Sequence, residues 1–459
     1  MVFYDKDALG ELAGQYYRKV ETIYPRGNIT DRTGISFNHT FSEIFPTVSL
    51  PRENYPACAS QVVGKTETDP FDTTEGGSYG INGINLIYDE LLRGGSAIGV
   101  YCMADAGGRL LEDMGATVIG EHINEGCDIT LTLDYVAQRN FEEIISEYAE
   151  EKSYDTVAVT LTDCESGEII VMATYGSELN LNVLSYPPGS IMKIISAAAA
   201  IEEGLITPED EFVCHGEFMV GEEVRHCSGK AVHGKMSMAE AFGISCNEWA
   251  YYVNSLLCEK KGDVIISRAL LLARKWGFCE YGFPGHEFIL EYDDYYSFVP
   301  EYLYNDMDIF NASLGQGNIQ ASVYLINKIT SAIASGGKIT TPHIISKITD
   351  PAGNEMFDGK SESGVFTLGL KEKTVKALQT LFRQTCVTGS AEFINIPQAA
   401  GKTGTAENGE GGAHHSWFTG YFPAGERTYA MTVLIPSGGS APYSAVPLWE
   451  MLADEYRGL

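Results

Sequence analysis

Tyr186-Pro-Pro-Gly-Ser190-Ile-Met-Lys193 runs directly into Ile194-Ile-Ser-Ala-Ala-Ala-Ala-Ile201. The alanine-rich run is a strong helix former, and Pro187, Pro188 and Gly189 keep the helix from starting earlier. Ser190 is therefore placed at a helix N-terminus, with Lys193 three residues on and on the same face. That spacing suits a serine nucleophile with a lysine as its base. A lysine in water has a pKa of about 10.4, so service as a base near neutrality needs a fall of about three units, roughly 4 kcal/mol, from burial or from a second cation.

Ser-x-x-Lys by itself is weak: about one or two copies arise by chance in a chain this long, and a second stands at Ser335-Gly-Gly-Lys338. Its two glycines break a helix where the Ser190 copy begins one. Two further triplets follow Ser190 in chain order. Ser245-Cys246-Asn247 lies inside the helical stretch Met236 to Val253, where Gly243 and Ser245 suggest a break between two helices. The same spacing occurs at Ser36-Phe-Asn38. Lys402-Thr403-Gly404 occurs once, in Ala399-Ala-Gly-Lys-Thr-Gly-Thr405. On a strand, Gly404 admits a close backbone approach, Thr403 and Thr405 offer hydroxyls to an anion, and Lys402 adds positive charge. The segments from His415 to Pro423 and from Thr428 to Pro436 then read as antiparallel strands around the turn Ala424-Gly425-Glu426.

In this order the three motifs resemble the active-site signature of penicillin-binding proteins and serine β-lactamases. The likeness extends over nearly the whole chain. Tyr24-Pro-Arg-Gly-Asn-Ile-Thr-Asp-Arg-Thr-Gly34 is similar to the opening of class B penicillin-binding proteins. So are Tyr55-Pro56, Val62-Val-Gly64, Gly83 to Asp89, Leu92-Arg-Gly94, Leu131-Thr-Leu-Asp134 with Gln138, Ser166 to Ala173, Leu314-Gly-Gln-Gly317 and Ile333-Ala-Ser-Gly-Gly337. The resemblance implies an α+β fold, a mostly antiparallel sheet flanked by helices on both faces, with a smaller N-terminal domain. The boundary is expected between the helix Gln138 to Lys152 and a strand starting near Asp155. Residues 1–150 would be a non-catalytic pedestal or interaction domain and 151–459 the penicillin-binding transpeptidase domain.

The implied function is a peptidoglycan D,D-transpeptidase that crosslinks stem peptides through a Ser190 acyl-enzyme and is acylated by β-lactams. Lys193 is then the general base, Ser245 a hydroxyl relay to the leaving amine and Asn247 an orienting amide. Lys402, Thr403 and Thr405 hold the terminal carboxylate beside Gly404, and Lys402 helps depress the pKa of Lys193. The backbone N–H groups of Ser190 and Thr405 form the oxyanion hole. No metal or organic cofactor is needed. Alternatives using the same trio are a non-catalytic β-lactam sensor or scaffold, a D,D-carboxypeptidase, or a β-lactamase; for the last, Glu301-Tyr-Leu-Tyr-Asn305 only superficially matches a deacylating Glu-x-x-Leu-Asn segment.

Composition agrees with a folded enzyme: 459 residues with 44% apolar content, and a formal charge of −31 from 31 basic and 62 acidic residues. Such a field repels nucleic acid and anionic lipid. No apolar run of membrane-spanning length is present. The resemblance implies an enzyme at the extracytoplasmic face of the bacterial membrane, whose anchor helix lies outside this sequence or is replaced by a localising partner. It also implies a membrane glycosyltransferase of the shape-elongation-division-sporulation class as partner.

Ten cysteines form no Cys-x-x-Cys pair. Cys214-His215 and His226-Cys227 mirror one another about Val220-Gly221, and a hairpin turn there sets Cys214 opposite Cys227 and His215 opposite His226. The two thiols are then a disulfide, free, or metal ligands joined by Cys246 or His233 from beyond the hairpin. Cys246 otherwise reads as a packing residue.

Overall fold

A computed structural model describes residues 17–23, 26–37, 58–68, 78–93, 98–103, 116–119, 126–279, 297–407 and 414–459. Among the expected landmarks, Tyr24-Pro25, Asn38, Tyr55-Pro56 and Gly94 lie outside these residues. The chain divides into two compact units. The first runs to Tyr135 and takes back Ile344–Glu362; the second holds Val136–His286, Tyr292–His343 and Ser363–Leu459.

The second unit is built on five antiparallel strands: β1 (Val157–Asp163), β2 (Ile169–Tyr175), β3 (Ala400–Ala406), β4 (His415–Ala424) and β5 (Arg427–Ile435). Their order is β3-β4-β5-β1-β2, which leaves β3 at an edge. The turn at Ala424 to Arg427 falls where the sequence places it, with Ala424 opposite Arg427. Period-two alternation then divides the core. Ala158, Trp417 and Leu434 face one layer with helix α2 (Lys193–Glu202), while Val159, Phe418 and Val433 face the other with α1 (Tyr135–Lys152) and the helix Ala445–Gly458. A sheet buried on both faces needs near-continuous apolar strands, and every residue of β1 is buried.

The helix expected to close the N-terminal domain packs in the second unit. Phe141, Ile145 and Ala149 are buried in the same cluster as Trp449 and Leu452, and the Tyr148 hydroxyl donates to the Ser444 carbonyl. The division therefore falls at Tyr135/Val136 rather than near residue 150, because the apolar face of α1 is covered by the sheet. The break in the Met236 to Val253 stretch is also present: α3 (Met238–Gly243) and α4 (Asn247–Leu256) are separate helices.

In the first unit, Ile29–Thr30, Asp128–Leu131, Ile345–Thr349 and Glu355–Asp358 form a four-stranded sheet in that order. The opening motif gains a physical explanation here. Arg26 Nη1 donates to Asp89 Oδ1 at 2.6 Å, joining two landmarks 63 residues apart. Asp31 is buried and accepts from the N–H groups of Thr33, Ile35 and Tyr135.

Candidate active site

Gly189 to Met192 forms one tight 3-10 turn before α2 begins at Lys193. In a turn of three residues, side chains three apart eclipse, so Ser190 and Lys193 are aligned more closely than an α-helix would align them. Gly189 has φ of 58°, and a Cβ there would sit 2.7 Å from the Thr405 carbonyl oxygen, so both backbone conformation and space require glycine.

β3 lies against this turn. A Cβ on Gly404 would meet Ile191 Cγ1 and the Pro188 carbonyl oxygen at 2.8 Å. The Trp417 indole N–H donates to the Pro187 carbonyl at 3.0 Å, and the Gly189 N–H donates to Gly315 at 3.2 Å. The edge strand, the turn carrying Ser190 and Gly315 are thus held together at close range.

The Ser245 loop completes the arrangement. Ser245 adopts φ of 61°, a left-handed conformation that costs a non-glycine residue about 1–3 kcal/mol and marks functional sites. Its N–H donates to Phe242, and the Cys246 N–H donates to Ala241, closing the turn between α3 and α4. Lys193 Nζ, fully buried, reaches three acceptors here: the Ser245 carbonyl at 2.6 Å, Ser245 Oγ at 3.2 Å and Asn247 Oδ1 at 2.9 Å.

Burial lowers the Lys193 pKa to about 7, against weaker upward pulls from Cys246 and Cys227. Lys402 is also fully buried; it donates to the Thr403 carbonyl at 2.9 Å and sits 5.4 Å above the Phe242 ring centre. Burial and then repulsion from Lys193 hold its pKa well below the ordinary lysine value. Desolvation accounts for the shift at Lys193, whereas the repulsion between the two cations falls on Lys402 and not, as expected, on Lys193.

Thr403, expected to hold a carboxylate, is bonded to Ser390. Ser390 Oγ donates to the Gly243 carbonyl at 3.0 Å, so the 2.6 Å bond between Ser390 and Thr403 uses the Thr403 proton. A hydroxyl has one proton to donate, and the lone pairs left on Thr403 repel a carboxylate. Thr405 is half-buried and accepts from Ala441 N–H at 3.4 Å, which leaves its own proton to donate. Ser390 was not legible in the sequence, since a serine in a Thr-Gly-Ser turn carries no motif. The second Ser-x-x-Lys copy is structural: the Ser335 hydroxyl donates at the end of the helix Val323–Ala334.

Residues 157–447 match the family described as penicillin binding protein transpeptidase domain. The chain belongs to this family. The resemblance to class B penicillin-binding proteins and the expected α+β transpeptidase fold are both borne out. The penicillin-binding protein PbpB of Mycolicibacterium smegmatis is 25% identical over 91% of this chain, which spans 66% of that relative's length. Penicillin binding protein 3 of Mycobacterium tuberculosis superimposes with a TM-score of 0.73 at 20% identity, over 95% of this chain and 96% of that one. A chain solved in a study of how a peptidoglycan synthase complex coordinates polymerization and crosslinking gives 0.73 at 21% identity, over 98% and 95%.

The cysteine hairpin has another register than expected. Glu217–Val220 pairs with Glu223–His226, setting Glu217 opposite His226, while Glu211–Cys214 pairs with Gly234–Ser237, setting Cys214 opposite Gly234. His215 bonds Glu248 instead of facing His226. Cys214, Cys227 and Cys246 nevertheless converge, and His233 joins them. The nine cysteines other than Cys102 carry no disulfide.

Proposed function

We propose that the protein is a peptidoglycan D,D-transpeptidase, acting outside the cytoplasmic membrane on stem peptides and acylated by β-lactams. The observation that carries this reading is the buried Lys193 amine, held by Ser245 and Asn247 with a pKa near neutrality, one tight turn from Ser190. In the proposed reaction, neutral Lys193 accepts the Ser190 proton as Oγ attacks the carbonyl between two D-alanines. The tetrahedral oxyanion is received by the N–H groups of Ser190 and Thr405. The C–N bond then breaks, Ser245 relays a proton to the leaving D-alanine amine, and an amine of a neighbouring stem attacks the ester to regenerate Ser190. Asn247 orients Lys193 and substrate.

Among the described residues no strand pairs with the outer edge of β3, which suits a peptide added as a further strand. Lys402 and the Thr405 hydroxyl are assigned to its terminal carboxylate, and Gly404 to the close approach; Thr403 and Ser390 hold the strand in position. The first unit is assigned a pedestal or interaction role, and a glycan-polymerising membrane partner is assigned by analogy with the synthase complex. Intact mass after incubation with benzylpenicillin tests the reading: a long-lived adduct, absent in Ser190→Ala, is expected, together with crosslinked product from a stem-peptide donor and an amine acceptor. Rapid adduct loss with turnover, or an adduct without any crosslinking, rejects it.

A further inference from the structure

The segment between Glu211 and Ser237 has little core of its own. It is two ladders of four residues a side, with only three of their sixteen residues buried, and two-stranded ladders are marginal in water. Two thiols and one imidazole of this segment meet a third thiol, Cys246 at the start of α4, at its base. Cys214 Sγ lies 3.7 Å from Cys227 Sγ, Cys227 Sγ 3.7 Å from Cys246 Sγ, and Cys214 Sγ 3.3 Å from His233 Nδ1. All four donor atoms lie within 4.8 Å of one another.

These separations match a tetrahedral ion. With zinc–sulfur bonds of about 2.3 Å and a zinc–nitrogen bond of about 2.0 Å, tetrahedral angles place sulfurs about 3.8 Å apart and sulfur and nitrogen about 3.5 Å apart. Three thiolates with one imidazole select zinc over the oxygen-preferring divalent ions. The three cysteines are at most 3% exposed and the set of four is complete, as in structural rather than catalytic zinc sites. A backbone donor supports one of the sulfurs: the Trp249 N–H donates to Cys246 Sγ at 3.5 Å.

We propose that Cys214, Cys227, Cys246 and His233 bind one zinc ion that fixes the Ser245–Asn247 loop against Lys193. On binding, the three thiols release their protons to solvent. Cys246 stands between Ser245 and Asn247, the two residues that hold the Lys193 amine, so the ion anchors the middle of the loop that positions the base. The metal site stands on its own donors; only its effect on acylation rests on the acyl-transfer reading above.

The full chain, expressed in zinc-supplemented medium and purified without chelator, is tested by elemental mass spectrometry and zinc X-ray absorption. One zinc per chain with three sulfur donors and one nitrogen is expected. Cys214→Ser and His233→Ala lower zinc content at least about tenfold, while His226→Ala, which alters an imidazole outside the cluster, retains it. Should His233→Ala fail to fold, His233→Cys supplies a fourth thiolate and is expected to keep both fold and metal. Absence of zinc from the wild type, a Cys214–Cys227 disulfide seen as a mass lower by two hydrogens, or full zinc in folded His233→Ala overturns the site. Zinc removal by a chelator is expected to slow penicillin acylation about tenfold and re-addition to restore it; an unchanged rate in the folded, zinc-free chain overturns the loop-fixing role. A zinc-replete chain that penicillin never acylates counts against the acyl-transfer reading, since metal content is scored separately.

Discussion

Lys193 Nζ lies 2.6 Å from the carbonyl oxygen of Ser245, a residue itself held in the left-handed region. Strain in one backbone position thus aims a carbonyl at a buried amine. The same amine reaches the hydroxyl of Ser245 and the amide of Asn247, so the groups proposed as base, relay and orienting amide meet at a single nitrogen.

Because burial brings Lys193 to a pKa of about 7, its base form grows as pH rises. The second-order rate of acylation by penicillin is expected to climb about tenfold between about pH 6 and about pH 8 and then level. Lys193→Met removes both the rate and its pH dependence. A rate that is flat over this interval in the wild type contradicts the role given to Lys193.

Thr403 and Thr405 are expected to separate in their effects. Thr405→Val withdraws the donor assigned to the substrate carboxylate and raises KM for a peptide donor, with little loss of stability. Thr403→Val breaks the bond to Ser390 and costs about 1 kcal/mol of folding stability, read by chemical denaturation, with KM much less affected. The reverse pattern would reassign the carboxylate to Thr403.

Gly404→Ala places a methyl group 2.8 Å from both Ile191 Cγ1 and the Pro188 carbonyl. Overpacking of this kind costs about 1–3 kcal/mol, and it pushes β3 away from the turn that carries Ser190. Acylation is expected to fall more than stability does, since the displacement falls on the cleft. Parallel measurement of melting temperature and adduct formation checks the order.

In the first unit, Arg26→Ala leaves Asp89 without its nearest cation, although Arg93 still reaches it at 2.7 Å. Both members of the Arg26–Asp89 pair are mostly buried, so a loss of about 2–4 kcal/mol is expected. Burial opposes ionisation of Asp89, but the Gly80 N–H and the two arginines outweigh it and hold its carboxyl below the usual range. A lowered carboxyl pKa gives stability that is present above the unfolded value and lost as pH falls through the folded one. Acid unfolding of wild type should therefore move to higher pH in Arg26→Ala, which a pH titration by circular dichroism measures.

Much of the sheet was readable residue by residue. The turn at Gly425 and the strands on either side follow from local alternation and turn chemistry, and the helix after Ser190 from an alanine run behind two prolines. These are signals carried within a few residues. The domain boundary was not readable, because the apolar stripe of α1 shows only that the helix is covered, not by which unit. Nor was the return of Ile344–Glu362 to the first unit, which depends on a strand pairing with Asp128–Leu131 more than two hundred residues earlier.

The three motifs and their order were determined by the sequence, and with them the family and the candidate reacting groups. Their chemistry was decided by tertiary structure. An ordinary lysine becomes a base only when folding strips it of water, and a threonine keeps or loses its donor proton according to which distant serine lies beside it. The cysteine register shows the same division: spacing marked Cys214, Cys227 and Cys246 as candidates, but their convergence with His233 required two separate ladders and a helix start. Desolvation and hydrogen-bond competition are properties of surroundings assembled from remote segments, so no short stretch of chain contains them.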